Sequence, residues 1–190
     1  NADDALWAVA DAALFGPSGA NAGFSLARGA GVTAAGGAGL LVGAPFDESG
    51  PRQGGRVWVV ETGALDTDWA SLEDRPSLGA YGGTGAWFGW DTALGDVDGD
   101  GLSDAIVGAP NADPTSGLRN GGAVYLFAGP LTADRVASDA GGVTVSGSAA
   151  THLLGRAVGT ADVDGDGYDD LVSAAVGAAA GAGRVCVVPG

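Results

Sequence analysis

Two short stretches concentrate the residues capable of chemistry. Residues 96–104 read DVDGDGLSD and residues 162–170 read DVDGDGYDD, together nine of the 23 acidic residues in a chain of 190. In the first, carboxylates stand at positions 1, 3, 5 and 9 (Asp96, Asp98, Asp100, Asp104), and position 7 offers the Leu102 backbone carbonyl. The second repeats this with Asp162, Asp164, Asp166 and Asp170, and with the Tyr168 carbonyl at position 7. Four carboxylates in so short a span repel one another unless a cation neutralises them. Hard oxygen donors on a flexible glycine turn suit Ca²⁺, which takes about 6–8 oxygens, better than Mg²⁺, which keeps its waters and demands a stricter octahedron. The competing reading is an acidic turn that holds no metal. The pattern is not that of a normal EF-hand, because Val107 and Ser173 stand where a bidentate Glu is required. The spacing thus predicts two calcium sites, each supplied by its own loop, with the ion structural rather than catalytic. Asp169 reads as an additional, solvent-facing acid.

The elements that must hold these loops repeat along the chain. LLVGAP at residues 40–45 recurs as AIVGAP at 105–110 and, more weakly, as LVSAAV at 171–176, a period of about 65 residues. Matching segments precede each (GFSLARGAGV from Gly23, FGWDTALGDV from Phe88, LGRAVGTADV from Leu154) and follow each (GGRVWVV from Gly54, GGAVYLF from Gly121, GAGRVCVV from Gly181). All are short, alternating or wholly apolar, and bounded by glycine, as sheet strands are. A fourth strand per unit is available in AALFG (12–16), LGAYG (78–82) and VTVSG (143–147), whereas DWASLEDR (68–75) is too short a helix signal to organise a fold. Three similar units of four antiparallel strands predict an all-β fold of propeller-type blades rather than a sandwich.

The predicted organisation is an N-terminal segment, 1–22, carrying an outer strand equivalent to a blade's fourth; a first repeat, 23–82; a second, 83–147; and a third, 148–190, lacking its outer strand. ADDALWAVADAALFG at the start aligns with ADRVASDAGGVTVSG at 133–147, so the chain begins at about the repeat phase where it stops. Three blades do not close a circle. An exposed strand edge is a hazard unless paired, which predicts an incomplete propeller completed by strand exchange with another chain, head to tail, into a ring or a filament. The alternative is a piece of a longer propeller.

Composition narrows the function classes. A formal charge of −15 from 23 acids and 8 bases makes nucleic acid a poor partner. No run of about 18 apolar residues signals a membrane span, and no signal peptide is visible, which fits a mature form that has lost one. The lone Cys186 cannot make an intrachain disulfide and reads as a small core residue of a strand. His152, the only histidine, has no partner at a catalytic spacing, and no nucleophile or phosphate motif appears, so the chain does not read as an enzyme. Trp87, Phe88 and Trp90 cluster before the first acidic loop, with Trp58, Trp69 and Tyr81 elsewhere; they suit a core or a surface that anchors a protein or glycan.

FGW…GDVDGDGLSDAIVGAP…GGAVYLF resembles an FG-GAP repeat, the blade of integrin alpha-subunit propellers and related surface proteins. The second unit carries Phe88-Gly89 and Gly108-Ala109-Pro110; the third has Leu154-Gly155 and Ser173-Ala174-Ala175 in their place. The first keeps Gly43-Ala44-Pro45 but has Gly31, Thr33, Ala35 and Gly39 at the ligand positions, so it should bind no metal. The resemblance implies Ca²⁺ in the loop between a blade's first two strands, an extracellular or cell-surface setting, and usually seven blades where three are counted here. Two roles follow as expectations: a calcium-stabilised assembly protein whose partner is itself, or an adhesion or ligand-binding module.

Overall fold

The computed structural model describes residues 13–33, 36–48, 54–61, 70–79, 85–114, 118–136 and 144–190. Trp69, Tyr81, Ala35 and the first twelve residues, all named above, lie outside these. The described chain is all-β, with helix confined to single 3-10 turns at Leu72–Asp74 and Ala179–Gly181. The first turn lies within the DWASLEDR segment, capped by the Ser71 hydroxyl accepting from the Glu73 N–H at 3.1 Å.

Three antiparallel sheets follow one another along the chain, as blades of a propeller do. The first contains β2 (Ser25–Gly29), β3 (Gly39–Ala44), β4 (Arg56–Glu61) and β6 (Ser77–Gly79). The second contains β7 (Asp91–Gly95), β8 (Asp104–Ala109), β9 (Ala123–Phe127) and β11 (Thr144–Ser146), and the third β12 (Leu154–Ala161), β13 (Asp170–Ala175) and β14 (Arg184–Val188). Two pairings depart from the simple repeat. β10 (Arg135–Val136), from the second repeat, joins the first sheet in parallel outside β6, its neighbour Asp134 accepting from the Ser77 N–H at 2.8 Å. β1 (Leu14–Phe15) pairs in parallel with β5 (Ala70–Ser71) of the same chain. The strand read as the fourth of a blade is therefore engaged within the chain, because Leu14 and Ala20 pack with Val42, Ala44, Trp58 and Val60 over the outer face of the first sheet.

Packing between sheets explains the repeated glycines. Side chains of β3 and β4 such as Leu41, Val57 and Val59 meet Val107 and Phe127 of the second sheet and Phe88 just before it; Ile106 and Val124 of that sheet meet Leu171 and Ala175 of the third. At Gly43 an added Cβ would overlap the Gly89 carbonyl, and at Gly108 it would overlap the Gly155 carbonyl. The glycine of each GAP segment thus lets the next sheet's FG-type glycine come into backbone contact. In the strand registers Ser25↔Gly43, Asp91↔Gly108 and Ala157↔Ala174, the third sheet carries Ala174 at this place, which corrects the reading of Ser173-Ala174-Ala175 as its GAP segment to Ala174-Ala175-Val176. Its outward face shows Val185 and Val187, 67% and 45% exposed. Cys186, one register position between them, is half-buried and turned to the core.

Candidate metal centres and the opposite aromatic face

Each acidic loop joins the first two strands of its sheet. The second residue of the motif anchors it: Val97 is buried between the second and third sheets, while its counterpart Val163, with no described sheet beyond it, is 58% exposed. The glycines Gly99 (φ 75°) and Gly165 (φ 83°) take the left-handed conformation that turns the chain back on itself.

Within each loop the carboxylates bond backbone N–H groups in the same order. Asp96 Oδ2 accepts from Gly101 N–H at 3.0 Å, Asp98 Oδ1 from Asp100 N–H at 3.2 Å and Asp100 Oδ1 from Leu102 N–H at 2.8 Å. Asp162 accepts from Gly165 and Gly167 N–H at 2.6 and 3.1 Å, Asp164 from Asp166 N–H at 3.1 Å and Asp166 from Tyr168 N–H at 2.9 Å. The ninth residue closes the loop. Asp104 Oδ2 accepts from Val97 N–H at 2.8 Å and Asp98 N–H at 3.3 Å, and its Oδ1 from Gly129 N–H at 2.9 Å. Asp170 accepts likewise from Val163 N–H at 2.8 Å and Gly190 N–H at 3.1 Å.

Oxygens of Asp96, Asp98 and Asp104 lie within 4.8 Å of one another, as do those of Asp162, Asp164 and Asp166. Asp100 in the first loop and Asp170 in the second stand outside these tight groups, though both are bonded to the same loop backbone. Leu102 and Tyr168 occupy the seventh position, where only the backbone carbonyl is offered. Two features fit the carboxylates to a cation. Asp96 Oδ1 is buried and meets no donor, and burial pushes the Asp104 carboxyl above its ordinary range despite the N–H groups it accepts from. A bound divalent ion would satisfy the first and offset the second. In the first sheet's corresponding loop, between Gly29 and Gly39, no such group forms among the described residues.

Asp169 corrects an expectation. It is half-buried rather than solvent-facing, and its Oδ2 accepts from the Asp96 N–H at 3.1 Å while its own N–H donates to the Asp96 carbonyl at 3.0 Å. The Tyr168 ring covers Gly99, where an added Cβ would overlap it. Ser103, at the same loop position as Asp169, donates its N–H to Gly31 O at 3.1 Å and its hydroxyl to Ala30 O. The shared eighth position was visible in the sequence; that it reaches the preceding loop depends on sheet packing, which the sequence does not display.

A different chemistry gathers at the other end of the same strands. Trp87 and Trp90 stack with centroids 4.8 Å apart, Phe24 lies 4.6 Å from Trp90, and Phe46 meets Phe24 and Trp87 edge-on at 5.8 and 6.0 Å. Arg156, from β12, sits 4.1 Å over the Trp90 ring. Phe24 is 45% exposed, whereas Trp58 and Phe88 are wholly buried core. Trp58 and Phe88 are therefore core residues, while Trp87 and Trp90 are half-buried beside the exposed Phe24.

The FG-GAP repeat family model matches residues 88–127 and 154–188, the two units that carry the acidic loops. This is an FG-GAP repeat protein. It is similar to phosphatidylinositol-glycan-specific phospholipase D of Rattus norvegicus, 35% identical over 70% of this chain and 16% of that protein. It is also similar to integrin alpha-PS2 of Drosophila melanogaster, 38% identical over 50% of this chain and 7% of that one, and to human integrin alpha-IIb, 36% identical over 55% and 10%. The FG-GAP chain thus spans no more than 16% of the length of these curated relatives. No helix among its described residues is long and apolar enough to cross a membrane.

Proposed function

We propose that the chain is a non-catalytic, calcium-stapled propeller module of an extracellular or cell-surface protein, built from three FG-GAP blades and presenting its aromatic end to a protein partner. The observation that carries this reading is the division of labour along the strands: carboxylates converge at one end, and a half-buried ring cluster with Phe24 exposed occupies the other. Asp96, Asp98, Asp100, Asp104 and the Leu102 carbonyl hold one Ca²⁺; Asp162, Asp164, Asp166, Asp170 and the Tyr168 carbonyl hold a second. Each ion ties the first strand of its blade to the next without involving a ligand. Extracellular modules of this kind bind calcium at about 10⁻⁴–10⁻³ M, which suits a compartment rich in it. The match to the phospholipase covers a small part of that enzyme, and the only histidine, His152, lies half-buried in the loop before β12 with no catalytic partner at motif spacing, so catalysis is not part of the reading.

The test is to pan the calcium-loaded protein and its Trp87→Ala/Trp90→Ala variant against arrays of extracellular proteins and of glycans. A protein bound by the first and lost with the second supports the proposal. Glycan binding alone, or partners retained by the variant, overturns it.

Head-to-tail assembly is a second reading, favoured by β14: no described strand lies along its outer edge, and Val185 and Val187 are exposed beside it. Donation of β1 to that edge in another copy requires its release from β5 and the uncovering of Trp58. Light scattering after size exclusion, with calcium present, decides between them; a monomer at all concentrations rules this reading out.

A further inference from the structure

We propose that Asp169 is a positioning residue that couples the two cation sites, so that an ion in loop 162–170 raises the affinity of loop 96–104. The inference rests on the reading of both loops as calcium sites. Asp96 is the first ligand of the earlier loop, and its backbone is held from two sides. On one, Gly95 pairs with Asp104 across β7 and β8. On the other, Asp169 grips both faces of the residue, accepting its N–H and donating to its carbonyl. The grip is close: a Cβ at Gly95 would lie 2.6 Å from Asp169 Oδ2 and 2.7 Å from Thr160 Oγ1, the hydroxyl that donates to Leu94 O at 3.0 Å.

Asp169 is itself placed by the later loop. It stands between Tyr168, whose carbonyl is a ligand, and Asp170, which closes that loop on Val163 and Gly190. An ion that fixes residues 162–170 therefore fixes the clasp on Asp96 and the Tyr168 ring over Gly99. The ordering cost of the earlier loop is then partly met before its own ion arrives, and two ions that share an ordering cost bind with positive coupling. The coupling is reciprocal, since each ion must favour the other by the same factor. The Ser103 clasp on Ala30 and Gly31 has the same place in the repeat but reaches a loop without carboxylates, so this coupling belongs to the second and third blades alone.

The experiment is a CaCl₂ titration of ¹⁵N-labelled full chain, followed at the amides of Gly99 and Gly101 for the earlier loop and Gly165 and Gly167 for the later one. In Asp164→Asn/Asp166→Asn the later loop falls silent and the earlier one weakens by about 5-fold or more, the low end of measured couplings. Asp169→Ala weakens the earlier loop to a similar degree, and Asp169→Asn, which keeps an oxygen for the Asp96 N–H, restores most of the loss. An earlier loop that titrates unchanged in Asp164→Asn/Asp166→Asn overturns the coupling, and so does one unchanged in Asp169→Ala. Asp169→Asn falling as far as Asp169→Ala overturns positioning and leaves only charge. Should Asp169→Ala not fold, the other two variants decide the question. A wild-type chain in which neither loop responds to calcium defeats the calcium reading itself, before any variant is compared.

Discussion

At the scale of single residues, two aspartates of the same motif should behave differently. Asp104 is fully buried and its two oxygens serve three backbone N–H groups, from Val97, Asp98 and Gly129. Asp104→Asn replaces one of those oxygens by a donor facing donors, and should cost about 1–3 kcal/mol even in EGTA, read by urea denaturation. Asp100 is exposed, and its carboxylate accepts from Leu102 N–H alone among the described residues. Asp100→Asn should leave the EGTA stability within about 0.5 kcal/mol of wild type, as surface changes do, while reducing the gain that calcium confers. The acidic spacing was legible within nine residues of sequence, and the fold gathers three carboxylates of each loop, Asp96, Asp98 and Asp104 in one and Asp162, Asp164 and Asp166 in the other. The unequal burial was not, since it depends on Gly129 arriving from a loop 25 residues away. Asp169 was misjudged for the same reason: its partner lies 73 residues earlier, across a sheet boundary.

At the scale of elements, the glycine that begins each GAP segment is a contact point between sheets. Gly108→Ala drives a methyl into the Gly155 backbone, which cannot swing aside as a side chain could. It should destabilise by about 1–3 kcal/mol or more, with the second and third sheets losing amide protection together. Ala174→Gly, at the equivalent place, should cost no more than the ~0.5–1 kcal/mol of a glycine in a strand. The first three strands of every unit were legible from alternation and glycine boundaries. The outer ones were less so: β1 and β10 are two-residue strands that pair in parallel with β5 and β6, and nothing in a two-residue segment announces its partner.

At the scale of the whole molecule, calcium should act as a staple on folding. A ligand at a hundredfold excess over its dissociation constant stabilises by ~2.7 kcal/mol, which for a domain of this size raises the melting temperature by about 5–10 °C. Calorimetry in CaCl₂ against EGTA reads this directly, and an unchanged melting temperature contradicts it. The repeat period made the succession of sheets legible. The charge of −15 gave no hint of the aromatic face, whose Phe24, Phe46 and Trp90 are brought together only when two sheets meet. Ala174 carries a consequence for neighbours of the module. Its methyl stands where the first two sheets leave room for a following carbonyl, so a fourth FG-GAP sheet could not seat at the same spacing. Whatever covers Val185 and Val187 must stand off by roughly the depth of that methyl, about one van der Waals contact distance. The close glycine contact that joins the first three sheets is therefore blunted at the third sheet's outward face by a single carbon atom.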